Sequence, residues 1–222
     1  YQLNPLDHHP LRALIEQRLD FDLLRSETAV RLFVCATNLK TNRMRIFDNA
    51  ELSVDSLLAS SCLPQLHRAV EVDGDFYWDG GFIGNPVLKP LIRAEGGHDI
   101  VLVHLNPIHR DELPISSRDI MDRLNEVTMN ASLMRELDVI ATISRLVRTG
   151  RLTDPRYVDI RLHKIGDAEV MQSLGLRSKN NTAWRFLTYL HDAGRRCADG
   201  WLEANGRKIG VEATLDLAEF SV

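Results

Sequence analysis

Val70-Glu71-Val72-Asp73-Gly74-Asp75-Phe76-Tyr77-Trp78-Asp79-Gly80-Gly81-Phe82-Ile83-Gly84-Asn85-Pro86 is the stretch on which the reading of this chain turns. Asp73-Gly74 stands between two alternating runs, and Asp-Gly in that setting is a strong short-range signal for a hairpin turn. The outgoing strand of that hairpin delivers Asp79. Gly80 and Gly81 have no Cβ, so the backbone just after Asp79 can take positive φ or accept the close approach of another segment or a ligand. Trp78, Phe82 and Ile83 reduce the water around the acid, which disfavours its charged form and suits it to accept a proton. Taken alone, Asp-Gly-Gly is common and reads more readily as a plain chain reversal.

Working outward, the chain alternates apolar strands with amphipathic helices. Pro10 to Arg25 carries Leu11, Leu14, Ile15, Leu19 and Leu23 at helical spacing, opened by a first-turn proline. Val30 to Thr37 is almost wholly apolar and β-branched, as expected of a strand buried on both faces, and a polar turn leads from it into a partner strand, Arg43 to Phe47. Ser53 is placed to cap a helix that ends in Ala59-Ser60-Ser61 ahead of Pro64. Asn85-Pro86 opens a short helix through Ile92, closed by Gly96-Gly97, and Ile100 to Leu105 reads as another buried strand. Ser116 and Asp119 have capping-box spacing at the head of one long helix, or two in succession, reaching Val147. Met121, Met129 and Met134 on it fit either an adaptable acyl-binding surface or, better given their helical spacing, core packing. Tyr157 to His163 has period two, with Tyr157, Asp159, Arg161 and His163 facing water on an edge strand, and Thr182 to Asn205 is a second amphipathic helix. This alternation predicts an α/β fold, a three-layer sandwich with a mostly parallel central sheet, in a single domain over residues 1–222.

Small residues at a helix end before a proline (Leu57-Leu58-Ala59-Ser60-Ser61-Cys62-Leu63-Pro64), the short hairpin, Asp79-Gly80-Gly81 and Gly84-Asn85-Pro86 follow one another in the order of the patatin-like phospholipase family, which the chain resembles from Asn4 to about Asn106. The resemblance implies a lipid acyl hydrolase, a phospholipase A or esterase, acting through a Ser-Asp dyad. In it Asp79 is the general base, Gly80, Gly81, Trp78 and Asn85 support the motif, and no metal or organic cofactor takes part. Gly81 stands where many relatives have alanine. The dyad's serine belongs to a Gly-x-Ser-x-Gly elbow behind a Gly-rich oxyanion loop, and no serine here has glycine two positions away on both sides. The chain is therefore expected to be the C-terminal part of a longer enzyme, its fold incomplete on the N-terminal side and the dyad reaction absent until the missing segment is supplied. Ser60 and Ser61 lack the strand-turn-helix elbow of a nucleophile and read as packing and capping residues.

Composition excludes other classes. A net charge of −4 over 222 residues provides no general attraction to nucleic acid. No apolar run reaches the ~18 residues of a membrane span. The expected partner is a lipid or other acyl ester, with peripheral membrane contact. Cys35, Cys62 and Cys197 have neither zinc nor disulfide spacing and fit buried thiols in a reducing, cytoplasmic setting. The eight histidines show no metal-ligand spacing, so no metal site is expected. His104, Asn106 and Pro107, at the end of a strand, are read as a hydrogen-bonded loop start in preference to a pocket rim. Two other readings of Asp79 stay open. It caps the hairpin of a non-enzymatic α/β binding or scaffold domain, or it works with a histidine, His67 or His104, in an enzyme of another type.

Overall fold

The computed structural model describes residues 9–93, 98–175, 178–179 and 181–220. They form two compact units, Tyr1–Val87 and Leu88–Val222.

In the first unit, α1 (Pro10–Arg18) and α2 (Phe21–Ser26) replace the single helix expected to Arg25. The break falls at Asp20, whose carboxylate accepts from the backbone N–H groups of Asp22 and Leu23 and so caps a new helix. Four strands follow: β1 (Phe33–Asn38), β2 (Met44–Asp48), β3 (Val70–Val72) and β4 (Asp75–Asp79), paired in the order β2-β1-β4-β3. Every pairing is antiparallel. This corrects the expected mostly parallel sheet, and the reason lies in the connections. Two of the strand pairs are hairpins joined by short turns, whereas a parallel pair needs a long crossover. The β3–β4 turn is the one foreseen, with Asp73 at φ 53° and Gly74 at φ 79°, the paired positive values that twist a two-residue loop to match its strands.

Between the hairpins lies α3 (Val54–Ser60), capped by Ser53 with Ser56 returning the bond to the Ser53 N–H. It packs on β1, β3 and β4. Ala36, Phe47, Leu52, Ala59 and Tyr77 form the core, with the rings of Phe47 and Tyr77 edge to face at 5.9 Å. Ser61 is spent on the helix end, its hydroxyl donating to the Leu57 carbonyl at 3.0 Å.

The second unit opens with α4 (Lys89–Arg93), later than Asn85-Pro86 foretold. Its first N–H groups are satisfied by Glu136, which accepts from Leu88 N and Lys89 N at 2.7 and 3.1 Å. Gly96 and Gly97 lie outside the described residues. β5 (Asp99–Val103) pairs in parallel with β6 (Arg161–Ile165), and the crossover is the single long helix α5 (Ser117–Arg148), whose Ser116–Asp119 capping box is formed. α6 (Ala168–Ser173) and α7 (Trp184–Asn205) complete the unit. Ile100, Leu102 and Leu162 pack on Leu133, Leu137 and Ile140 of α5 and on Leu217 and Phe220.

Three expectations for this unit are corrected. β5 is buried on one face only, since Val101 and Val103 point outward, Val103 at 67% exposure. The apolar residues in the first half of α5, Ile120, Met121, Leu124 and Val127, are exposed, and of its methionines only Met134 packs on the core. His163, expected to face water, is wholly buried.

A partner inside the fold makes that burial tolerable. Asp99 accepts from His163 Nε2 at 3.0 Å, from the Arg161 guanidinium in a fork at 3.0 and 2.6 Å, and from Gly210 N at 2.9 Å. The Arg161 bonds, against the opposing pull of partial burial and with help from His163 and Gly210, hold the Asp99 carboxyl well below the usual carboxylate range. A carboxyl whose folded pKa is depressed stabilises the fold fully above its unfolded pKa of about 4 and loses that contribution as pH falls through the folded value. Asp99→Asn is therefore expected to cost about 2 kcal/mol at neutral pH, the scale of hydrogen bonds to a charged group that is only half-buried. The gap in melting temperature from the parent chain, followed from pH 7 to pH 2, should narrow in acid. A constant gap would assign the loss to packing.

Candidate functional site

Asp79 ends β4, and its main chain is pinned on three sides. It lies opposite Ala36 of β1, its N–H donates to the Cys62 carbonyl at 2.9 Å, and its own carbonyl accepts from the Thr37 hydroxyl at 2.8 Å. Its side chain, half-buried, caps the short 3-10 turn Gly80–Phe82, with Oδ1 accepting from Gly81 N at 2.7 Å. Among the described residues Oδ2 makes no hydrogen bond. One oxygen thus fixes the carboxylate and the other retains its lone pairs for an incoming proton.

The glycines around it have different reasons to be there. A Cβ on Gly80 would sit 2.2 Å from the Cys35 carbonyl oxygen, so the turn can run against β1 only without a side chain. At Gly84 a Cβ would meet Val87 Cγ2 at 2.4 Å and Met44 Cε at 2.8 Å, side-chain neighbours with some freedom to move. Gly81 contributes the N–H that orients Asp79. Asn85 follows and joins Pro86 through a cis peptide bond.

The aromatic flank is also in place. The rings of Trp78 and Phe82 lie 6.4 Å apart. Trp78 Nε1 is buried and has no acceptor among the described residues. Trp78, Asp79, Gly80 and Gly81 thus form one continuous strand end and turn, as their adjacency predicts, with Asn85 a few residues beyond.

The histidines do other work. His67 stacks on His9 with centroids 4.1 Å apart and does not bond Asp79. His104 Nε2 is within 2.9 Å of Asn130 Oδ1, while Asn130 Nδ2 donates to the Pro107 carbonyl at 3.0 Å. Burial lowers the His104 pKa, against the Asn130 bond, so the ring is neutral at physiological pH. This is the hydrogen-bonded loop start read from the sequence. Among the described residues no group of three histidine, cysteine or acidic side chains could hold a metal ion.

With this geometry in hand, comparison with known proteins gives one match. Residues 4–92, a stretch that contains Asp79 and its turn, match the family model for patatin-like phospholipase, which bears out the family resemblance there. No curated protein matches the chain. The matched family is one of lipid-ester hydrolases.

The Gly80 contact yields a sharp expectation. Gly80→Ala should destabilise the first unit by about 2–3 kcal/mol, the usual cost of overpacking where the neighbour is backbone and cannot swing away. Thermal melts of this variant beside Gly74→Ala, whose added methyl meets nothing within 4 Å and pays only for positive φ, should show the larger loss at Gly80.

Proposed function

We propose that Asp79 is the general base of a serine-dependent lipid acyl hydrolase, a phospholipase A or esterase. The two units would serve as parts of one catalytic domain, and the nucleophile would come from a Gly-x-Ser-x-Gly segment that these 222 residues do not include. The observation that carries the reading is the asymmetry of the Asp79 carboxylate, with Oδ1 bonded to Gly81 N and, among the described residues, Oδ2 without a donor, in a turn packed directly against the Cys35 carbonyl. A serine hydroxyl brought to Oδ2 would pass its proton there as it attacks an ester carbonyl, and the acyl-serine would be released by water. Gly80, Gly81, Trp78 and Asn85 support this group. The substrate is a lipid or other acyl ester met at a membrane surface, and no cofactor is needed.

The competing reading, a scaffold domain in which Asp79 is only a cap, draws on the same Oδ1 bond. Asp79→Asn separates the two. Asparagine keeps the acceptor for Gly81 N but cannot take a proton. In the parent protein carrying the serine elbow, esterase turnover should fall ~10²–10⁴-fold, the scale of general-base catalysis, with the melting temperature nearly unchanged. A cap-only role would instead leave turnover intact, since asparagine caps about as well as aspartate.

A further inference from the structure

The second unit contains a hydrogen-bonded relay that the dyad chemistry does not use. Asp99 accepts from His163 Nε2 at 3.0 Å, and His163 Nδ1 lies 3.1 Å from Thr214 Oγ1. Asp99 is kept ionised by the Arg161 fork and accepts from Nε2, so in the neutral form of the ring the proton is on Nε2 and Nδ1 presents a lone pair. In that form the Thr214 hydroxyl donates to His163. The ring cannot turn away, since it is fully enclosed and packs edge to face on Trp201 at 5.9 Å. Thr214 is itself held in register, its N–H donating to the Leu162 carbonyl at 3.1 Å.

Thr214 also borders open space. It is half-buried and lines a cleft of about 580 Å³ formed by the last turns of α5, residues 159–161 and residues 211–218. Arg145 and Arg148 line the same cleft. A hydroxyl bonded to a base, a base oriented by a half-buried carboxylate, and cationic groups beside an accessible cavity are the parts required for nucleophilic acyl transfer, whatever their order in the chain.

We propose that Thr214 is a nucleophile and His163 its general base, in a second acyl-transfer site that opens on this cleft. Thr214 Oγ attacks the carbonyl carbon of a carboxylic ester as its proton passes to His163 Nδ1. The carbon–oxygen bond to the leaving alcohol then breaks, and His163 returns the proton to that oxygen. Water, deprotonated by the same nitrogen, cleaves the acyl-threonine to a carboxylic acid and restores Thr214. Arg145 and Arg148 supply positive charge for the oxyanion. Asp99 is a positioning residue that fixes the tautomer. Asp159, Glu212 and Asp216 also line the cleft and offset its arginines, so the site suits a short, polar ester and disfavours a long acyl chain.

The test treats the 222-residue chain with a fluorophosphonate probe and maps the adduct by peptide mass spectrometry. Mapping to a residue keeps the outcome independent of any result at Asp79. The adduct is expected on Thr214, absent in Thr214→Val, formed faster in Thr214→Ser, and slowed at least ~10²-fold in His163→Gln. Asp99→Asn should both slow labelling and change its pH profile, which a purely structural carboxylate would not do. The proposal is overturned if neither the parent chain nor Thr214→Ser is labelled at residue 214 while circular dichroism shows both folded. It is equally overturned if labelling there is indifferent to His163→Gln in a folded variant. Either result would leave the relay as a strut that ties residues 210–215 to β6.

Discussion

The turn after β4 lies so close to the Cys35 carbonyl that position 80 has no room for a side chain. That steric limit organises the first unit. Because Gly80 can press against β1, β4 pairs with β1 through Ala36 and Asp79, the Asp79 N–H reaches the Cys62 carbonyl at the end of α3, and Gly81 N turns toward Oδ1. Helix, sheet and turn meet at one residue. A bulkier side chain would push the turn away from the sheet and disturb all three contacts together, so the Asp-Gly-Gly sequence is a packing requirement before it is a chemical one.

Asp99 and Asp79 show how surroundings divide one side-chain type between different tasks. Asp99 meets an arginine fork, a histidine and a backbone N–H, and its acceptor capacity is largely committed to holding the second unit together. Asp79 meets a single backbone N–H on one oxygen and aromatic neighbours nearby. The first is suited to remain an anion and orient what touches it. The second keeps an acceptor in reserve, which a proton-transfer role requires.

What could be read from the sequence was what depends on neighbours close in the chain. Asp73-Gly74 foretold its turn, and Ser53 and the Ser116–Asp119 pair foretold their helix starts, because each motif satisfies backbone groups within a few residues of itself. The Asp79 motif was legible for the same reason. Long-range choices were not. Strand direction in the first unit depends on how two hairpins meet, and runs of apolar residues do not encode that. His163 looked like the outer face of an edge strand because its partner, Asp99, lies 64 residues away. The exposed apolar residues in the first half of α5 have the periodicity of a core-facing stripe, but burial depends on what packs against the stripe. The break at Asp20 did have a local signal, an acidic cap, masked by apolar spacing that runs straight through it.

The strand order β2-β1-β4-β3 also bears on the order in which the first unit assembles. Each outer pair is a local hairpin, and such elements close within about 1–10 μs. The central pairing joins Ala36 to Asp79 and must close a loop of some forty residues containing α3, so its entropy cost is met only after the local pieces exist. Asp79 lies in that last pairing. The carboxylate acquires its surroundings at the end of folding, and a nascent chain that has built both hairpins still lacks an ordered motif until the sheet closes across its middle.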